Sequence, residues 1–327
     1  YGKIKQKSIE TVGGLLPDNF EGYNIIDRND IVLRLTDLQN DQHSLRVGLS
    51  HERGIITSAY CSIRVRGAES PNYLYYYLHT FDVAKGFYGM GSGVRQGLNW
   101  DGLKYIKILL PPQHEQDRIS VFLNQKTLEI DSMLSKTISS IEEYKKLKQA
   151  VITQAVTKGV RGEREIKDSG VEWIGKVPKE WDVRKLKAVS ARINVGVVIR
   201  PSEYFDDNGT VPFLRGINVK EYTISSENMV YISQTSNRAL SKSQVHTGDI
   251  LIVRDGNIGA SCVVPSCYNA ANVVSMVIVT PNNNCDSRFL CYSLNSEVGK
   301  TQFTLTKIGS ALTHTSVSAV SDILSLV

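Results

Sequence analysis

Two stretches in the second half of the chain, Arg215-Gly216-Ile217-Asn218 and Arg254-Asp255-Gly256-Asn257, set forked and amide side chains beside glycine. A third, Lys307-Ile308-Gly309-Ser310 to Thr313-His314-Thr315, adds hydroxyls and an ammonium group. Arg34 to Asp37 and Gly91-Ser92-Gly93-Val94-Arg95-Gln96 have the same make-up in the first half. Guanidinium and amide groups match the donor and acceptor edges that bases show in a major groove, and hydroxyls reach phosphates. Glycine lets the backbone approach closely. Arg34, Arg95, Gln96, Arg215, Asn218, Arg254, Asn257, Lys307, Ser310 and Thr313 are therefore the candidate DNA-contacting residues. The competing role for Asp255, Asn257 and Ser310 is to satisfy their own turns, as Asx and Ser side chains do.

Residues for bond-making chemistry do not assemble in the same way. Gly299-Lys300-Thr301 resembles the tail of a phosphate loop, but the position five before Gly299 is Leu294, not glycine. Gly89 to Gly93 lacks the spacing of a dinucleotide loop, and Pro17-Asp18 with Glu165-Ile166-Lys167 is too short a pattern to specify a nuclease. No Asn/Asp-Pro-Pro-Tyr/Phe stretch for base amino-methylation occurs. The six histidines have no metal-ligand spacing, and the five cysteines are odd in number without paired Cys-x-x-Cys. Reduced thiols, no metal, a non-catalytic chain and a cytoplasmic location are the expectations. Net charge is +5, with 13 basic and 11 acidic residues over 1–112 and ten of each over 188–327. Any basic face must therefore come from folding, which gathers scattered Arg and Lys.

The elements that must position these residues read as a repeat. Asn29-Asp30-Ile31-Val32-Leu33 resembles Gly248-Asp249-Ile250-Leu251-Ile252 at an offset of 219, and Asn72-Tyr73-Leu74 with Leu78 matches Arg288-Phe289-Leu290 with Leu294 at 216. Gly91-Ser92-Gly93 through Ile106 parallels Gly309-Ser310 through Leu326. Strands are expected over Asp30 to Leu35, Tyr60 to Val65, Ile250 to Arg254 and Val273 to Val279, short helices over Tyr73 to Thr80 and Arg288 to Leu294, and turns at Gly89 to Gly93, Asn208-Gly209 and Asn282 to Asn284. Tyr73, Tyr75, Tyr76, Tyr77, Trp173 and Trp181 are expected to pack rather than stack on bases. The register puts counterparts of Trp173 and Trp181 before Tyr1 and a second Pro-Pro start beyond Val327, so a fragment is expected at both ends.

Between the copies, Pro111-Pro112-Gln113-His114-Glu115-Gln116 opens a helix expected from about Gln113 to Lys158, since prolines suit a first turn and acids suit its positive dipole end. Leu123, Ile130, Leu134, Ile141, Tyr144, Val151 and Ala155 recur in steps of three, four and seven, as a coiled-coil seam requires. Leu123, Ile130, Leu134, Ile141 and Val151 are the candidate helix interface, and self-association through it is expected unless another helix covers it.

The Pro-Pro-x-x-Glu-Gln start, the long helix and the restart Asp168-Ser169-Gly170-Val171-Glu172-Trp173-Ile174-Gly175-Lys176-Val177-Pro178-Lys179-Glu180-Trp181 resemble the specificity subunit of type I restriction-modification enzymes. The resemblance implies a mixed α/β (α+β) fold of two similar target-recognition domains joined by a coiled-coil-type helix. It sets a first recognition domain at 1–112, the spacer at 113–160 and a second domain at 161–327. It further implies recognition of a bipartite double-stranded DNA site, docking of methylation subunits and, through them, restriction and translocation subunits. S-adenosylmethionine, ATP and Mg²⁺ would sit on those partners, with no cofactor on this chain. The rival reading is a duplicated-domain scaffold that binds protein instead of DNA.

Overall fold

The computed structural model describes residues 20–38, 43–91, 97–307 and 314–327. The chain divides into two compact units, Tyr1–Ile138 and Ser139–Val327. Among the described residues no helix is long and apolar enough to cross a membrane.

In the first unit, β1 (Asn24–Ile26) precedes β2 (Ile31–Leu33), β3 (Val47–Leu49), β4 (Gly54–Ile56) and β5 (Cys61–Ile63). β1 pairs with β4, and β2 lies between β3 and β5, all antiparallel. β2 is buried along its whole length, which is why Ile-Val-Leu shows no polar alternation. Helix α1 (Pro71–Val83) and the short α2 (Trp100–Leu103) cover this sheet, and Leu78, Phe87, Leu98 and Leu103 close its core with Ile31 and Leu33. Both expected helical and strand segments form here; α1 extends further than Tyr73 to Thr80 because Pro71 fixes its first turn.

Helix α3 (Gln113–Lys158) matches the expected bounds and is about 69 Å long at 1.5 Å per residue. Its opening motif has a mechanical role. Gln116, 3% exposed, accepts a hydrogen bond from the Ser70 backbone at 2.9 Å and donates to the Pro111 carbonyl at 2.9 Å, tying the start of α3 to the start of α1.

The second unit opens with the hairpin β6 (Ile166–Asp168) and β7 (Lys176–Pro178), whose turn is held by Asp168 accepting from the Gly170 backbone at 2.8 Å. β8 (Val183–Lys185), β9 (Ser190–Val195), β10 (Val211–Leu214), β11 (Val219–Lys220), β12 (Thr223–Ile224) and β13 (Val230–Ile232) follow, then α4 (Gln234–Ala239). After them come β14 (Ile250–Ile252), β15 (Ser261–Val263), β16 (Asn272–Val273) and β17 (Val277–Pro281), then α5 (Ser287–Asn295), α6 (Glu297–Lys307), α7 (Val317–Ser321) and β18 (Leu324–Leu326). One antiparallel sheet runs β15-β14-β17-β9, and a smaller one runs β13-β10-β16 with a parallel β10–β16 pair. The single strand expected over Val273 to Val279 is thus two. Ser275, at φ 49°, turns the chain so that one apolar run serves both sheets. Trp181 meets Phe289 edge-on at 5.8 Å, as expected of packing, whereas Trp173 remains 43% exposed.

The repeat is structural down to single bonds. Ile31 faces Leu49 and Ile63 across its neighbours, as Ile250 faces Val263 and Val279. Asn29 (φ 72°) and Gly248 (φ 92°) occupy the same left-handed corner, whose next residue, Asp30 or Asp249, is 2% exposed. Each aspartate accepts the amide three residues earlier, Asp27 at 2.7 Å or His246 at 2.8 Å. Arg64 pairs with Asp30 at 2.6 Å, whereas Thr280 occupies the equivalent position on Asp249 and Arg192 arrives from β9 at 3.2 Å. The buried charge is satisfied in both copies, as it must be to persist.

Candidate nucleic-acid interface

Topology decides which residues of the second unit meet. β9, β10, β14 and β16 all end at the edge where β17 begins, because Val277 faces both Val195 and Ile252 while Leu214 lies beside Val273. The segments that follow those ends are stitched together: Gly196 N donates to Met276 O at 2.9 Å, Val197 N to Val273 O at 2.7 Å, Ser275 N to Val197 O at 3.0 Å and Val274 N to Leu214 O at 2.8 Å. A Cβ at position 196 would run into the carbonyl of Val273, so this approach requires glycine. The result is one rim carrying Gly196–Arg200, Arg215–Asn218, Arg254–Ile258 and Val274–Met276.

Arg215 and Arg254 stand on that rim, half-buried and held by backbone carbonyls. Arg254 Nε donates to Thr315 O at 2.8 Å, leaving its two terminal nitrogens without a partner among the described residues. Arg215 donates through Nη2 to Asn228 O, and its buried Nε has no partner among the described residues. Tethering of this kind pre-aims a guanidinium at small entropic cost. Asn257 is exposed beside Gly256, and Asp255 accepts from Ser275 Oγ at 3.5 Å.

Asn218 sits differently. It is fully buried, its Oδ1 accepts from Arg215 N at 3.1 Å, and its Nδ2 donates to the Ser225 and Glu227 carbonyls at 3.2 and 2.9 Å. Its amide is committed to the turn that carries Arg215. Nothing in the sequence distinguishes it from Asn257; only the β11–β12 hairpin folding back over it does.

In the first unit, Arg34 follows β2 as Val253 follows β14, and is half-buried. The loop from Arg34 to Asp37 is shaped by Arg46, which sequence reasoning missed: at 2% exposure it donates to the carbonyls of Arg34, Thr36 and Asp37 at 3.2, 2.7 and 3.2 Å. Leu98 N bonds to Leu35 O at 2.9 Å, as Thr315 N bonds to Arg254 O at 3.2 Å, so corresponding backbones anchor both copies. Arg95, Gln96, Ser310 and Thr313 lie outside the described residues; Lys307 ends α6, and its side chain lies outside them too.

Of the five interface candidates on α3, Leu123 lies in a groove of about 360 Å³ lined by Tyr73, Tyr76 and Phe81. Ile130, Leu134, Ile141 and Val151 are 45–57% exposed. Every residue from 132 to 148 is exposed, including Met133, Ile138, Tyr144 and Leu147. On the second unit, Lys148 stands over the Tyr222 ring at 5.3 Å and Gln149 donates to Asn295 O at 2.9 Å.

Burial pushes the Cys262 and Cys291 thiols up to about 12, which keeps those two protonated. Among the described residues no group of three or more His, Cys, Asp or Glu converges.

No family model matches the chain. A putative type I restriction enzyme MjaX specificity subunit of Methanocaldococcus jannaschii is 32% identical over 149 residues, 45% of this chain and 33% of that protein. The type I restriction enzyme MjaVIII specificity subunit of the same organism is 25% identical over 293 residues, 88% of this chain and 65% of that protein. The chain therefore spans only part of the length of either relative. Its fold is similar to a chain from a structure of type I R-M system assembly and conformational transition, with TM-score 0.69 and 14% identity over 94% of this chain and 72% of that one. It is also similar to the HsdS subunit of Thermoanaerobacter tengcongensis, with TM-score 0.51 and 17% identity over 93% and 70%.

Proposed function

We propose that this chain, a homologue of the type I restriction enzyme specificity subunits, reads duplex DNA and makes or breaks no covalent bond itself. The observation that carries this reading is the rim of the second unit. It sets Arg215 at the end of β10 and Arg254 and Asn257 after the end of β14, and one backbone bond there, Thr315 N to Arg254 O, has its counterpart in the first unit in Leu98 N to Leu35 O. Each copy then reads one half of a bipartite site, the guanidinium groups meeting guanine edges and Asn257 an adenine edge. Asn218 serves by holding Arg215 in place. Residues 113–160 act as the spacer between the two readers, and the exposed face of α3 docks methylation subunits, through which restriction and translocation subunits join. S-adenosylmethionine, ATP and Mg²⁺ belong to those partners, and a cytoplasmic location follows from that work.

The test is retention of the purified chain on duplex DNA across a salt series. Phosphate neutralisation makes log affinity fall linearly with log salt, a protein with six to ten phosphate contacts losing roughly 10³–10⁵ in affinity between 50 and 200 mM. A steep slope with sequence preference is expected. Salt-insensitive or absent binding would favour the protein-binding scaffold instead.

A further inference from the structure

The rim carries a second kind of chemistry. Val198 is 53% exposed and Ile199 80%, while their neighbour Val197 turns inward against Phe213 and Ile232. Exposed aliphatics commonly sit at the tips of loosely held loops, but these do not. Gly196 and Val197 are bonded to Met276 and Val273 on one side, and on the other Arg200, in the left-handed region at φ 44°, leads into Pro201 and a 3-10 turn over Pro201–Tyr204. Val and Ile have few rotamers, so a fixed backbone fixes them as well. Ile217, 52% exposed, stands on the adjoining Arg215 turn. Two exposed β-branched side chains thus sit on the rim between Val197, whose carbonyl accepts from Ser275 N at 3.0 Å, and Arg200.

In the major groove only one base-edge group of the four ordinary bases is apolar, the 5-methyl of thymine. We propose that Val198 and Ile199 read thymine in the half-site of the second unit by covering that methyl group. The inference rests on the DNA-reading function above and names what this loop selects.

The test selects the preferred duplex for the full chain from a random pool, then replaces each thymine in turn by deoxyuridine, which removes the methyl and nothing else. At one or two adjacent thymines the affinity should fall about fourfold, what burying one such group supplies. The variant Val198→Ser, Ile199→Ser should bind the thymine and uracil duplexes alike, while its unfolding temperature stays that of the parent, since neither side chain packs in the core. A selected site without thymine in that half, or an equal uracil penalty in parent and variant, overturns the assignment. Absence of any sequence preference in the parent would instead overturn the DNA-reading function, and this inference with it.

Discussion

Arg254 and Asn218 both follow a strand end near glycine in sequence, but Asn218 is fully buried whereas Arg254 is only half-buried. Replacing Arg254 by Ala removes a guanidinium whose terminal nitrogens have no partner among the described residues, so folding should hold while half-site affinity falls by about 1–3 kcal/mol. Anisotropy on the selected duplex beside a thermal melt reads both. Asn218→Ala should do the reverse, removing a fully buried amide and its three bonds to the partly buried backbone of Arg215, Ser225 and Glu227 at a cost of about 1–3 kcal/mol and lowering the melting temperature. A second residue-scale effect concerns acid. Burial pushes the His79 imidazole below its ordinary range, so the fold prefers it neutral. Unfolded histidine titrates near pH 6.5. Stability from this site is therefore present above about pH 6.5 and lost as pH falls through that value toward the folded pKa. Urea midpoints of the first unit, followed between pH 7.5 and 5.5, should drop in the parent and drop less in His79→Gln. Equal slopes would mean that His79 does not couple stability to pH.

At the scale of elements, most of the pattern was legible because it comes from local chemistry. Pro111-Pro112 and the lack of Gly or Pro up to Gly159 define α3, and the offset of 219 identifies two strands, β2 and β14, whose cross-strand pairing corresponds. What escaped depended on distant partners. Nothing local in Val273 to Val279 announces that Ser275 divides it between two sheets. Arg46 reads as a surface charge until the loop from Arg34 to Asp37 wraps it, and Gly196–Arg200 gains meaning only when β16 lies alongside. The rim was named in fragments, by residue type, but its assembly from four strand ends is a property of topology. The exposed middle of α3 makes its own prediction. Ile138→Glu with Ile141→Glu replaces side chains 62% and 48% exposed, so it should change stability by no more than about 0.5 kcal/mol. It should nonetheless abolish co-purification with methylation subunits and any self-association seen in sedimentation. Loss of folding instead would mean the stripe is internal packing.

For the whole molecule, duplication is the central fact, since two units that share a three-strand core and its buried aspartate corner can diverge in what surrounds it. Asp30 and Asp249, with their separate arginine partners, keep each sheet self-sufficient, and the rim residues draw their supports from within their own unit. Recognition should therefore be modular. The most direct measurement replaces residues 188–327 by the corresponding segment of a type I restriction enzyme specificity subunit and determines the preferred duplex by selection from a random pool. The prediction is that one half of the site changes to that of the donor while the other half and the gap between them stay as they were. Change in both halves, or in neither, would contradict it.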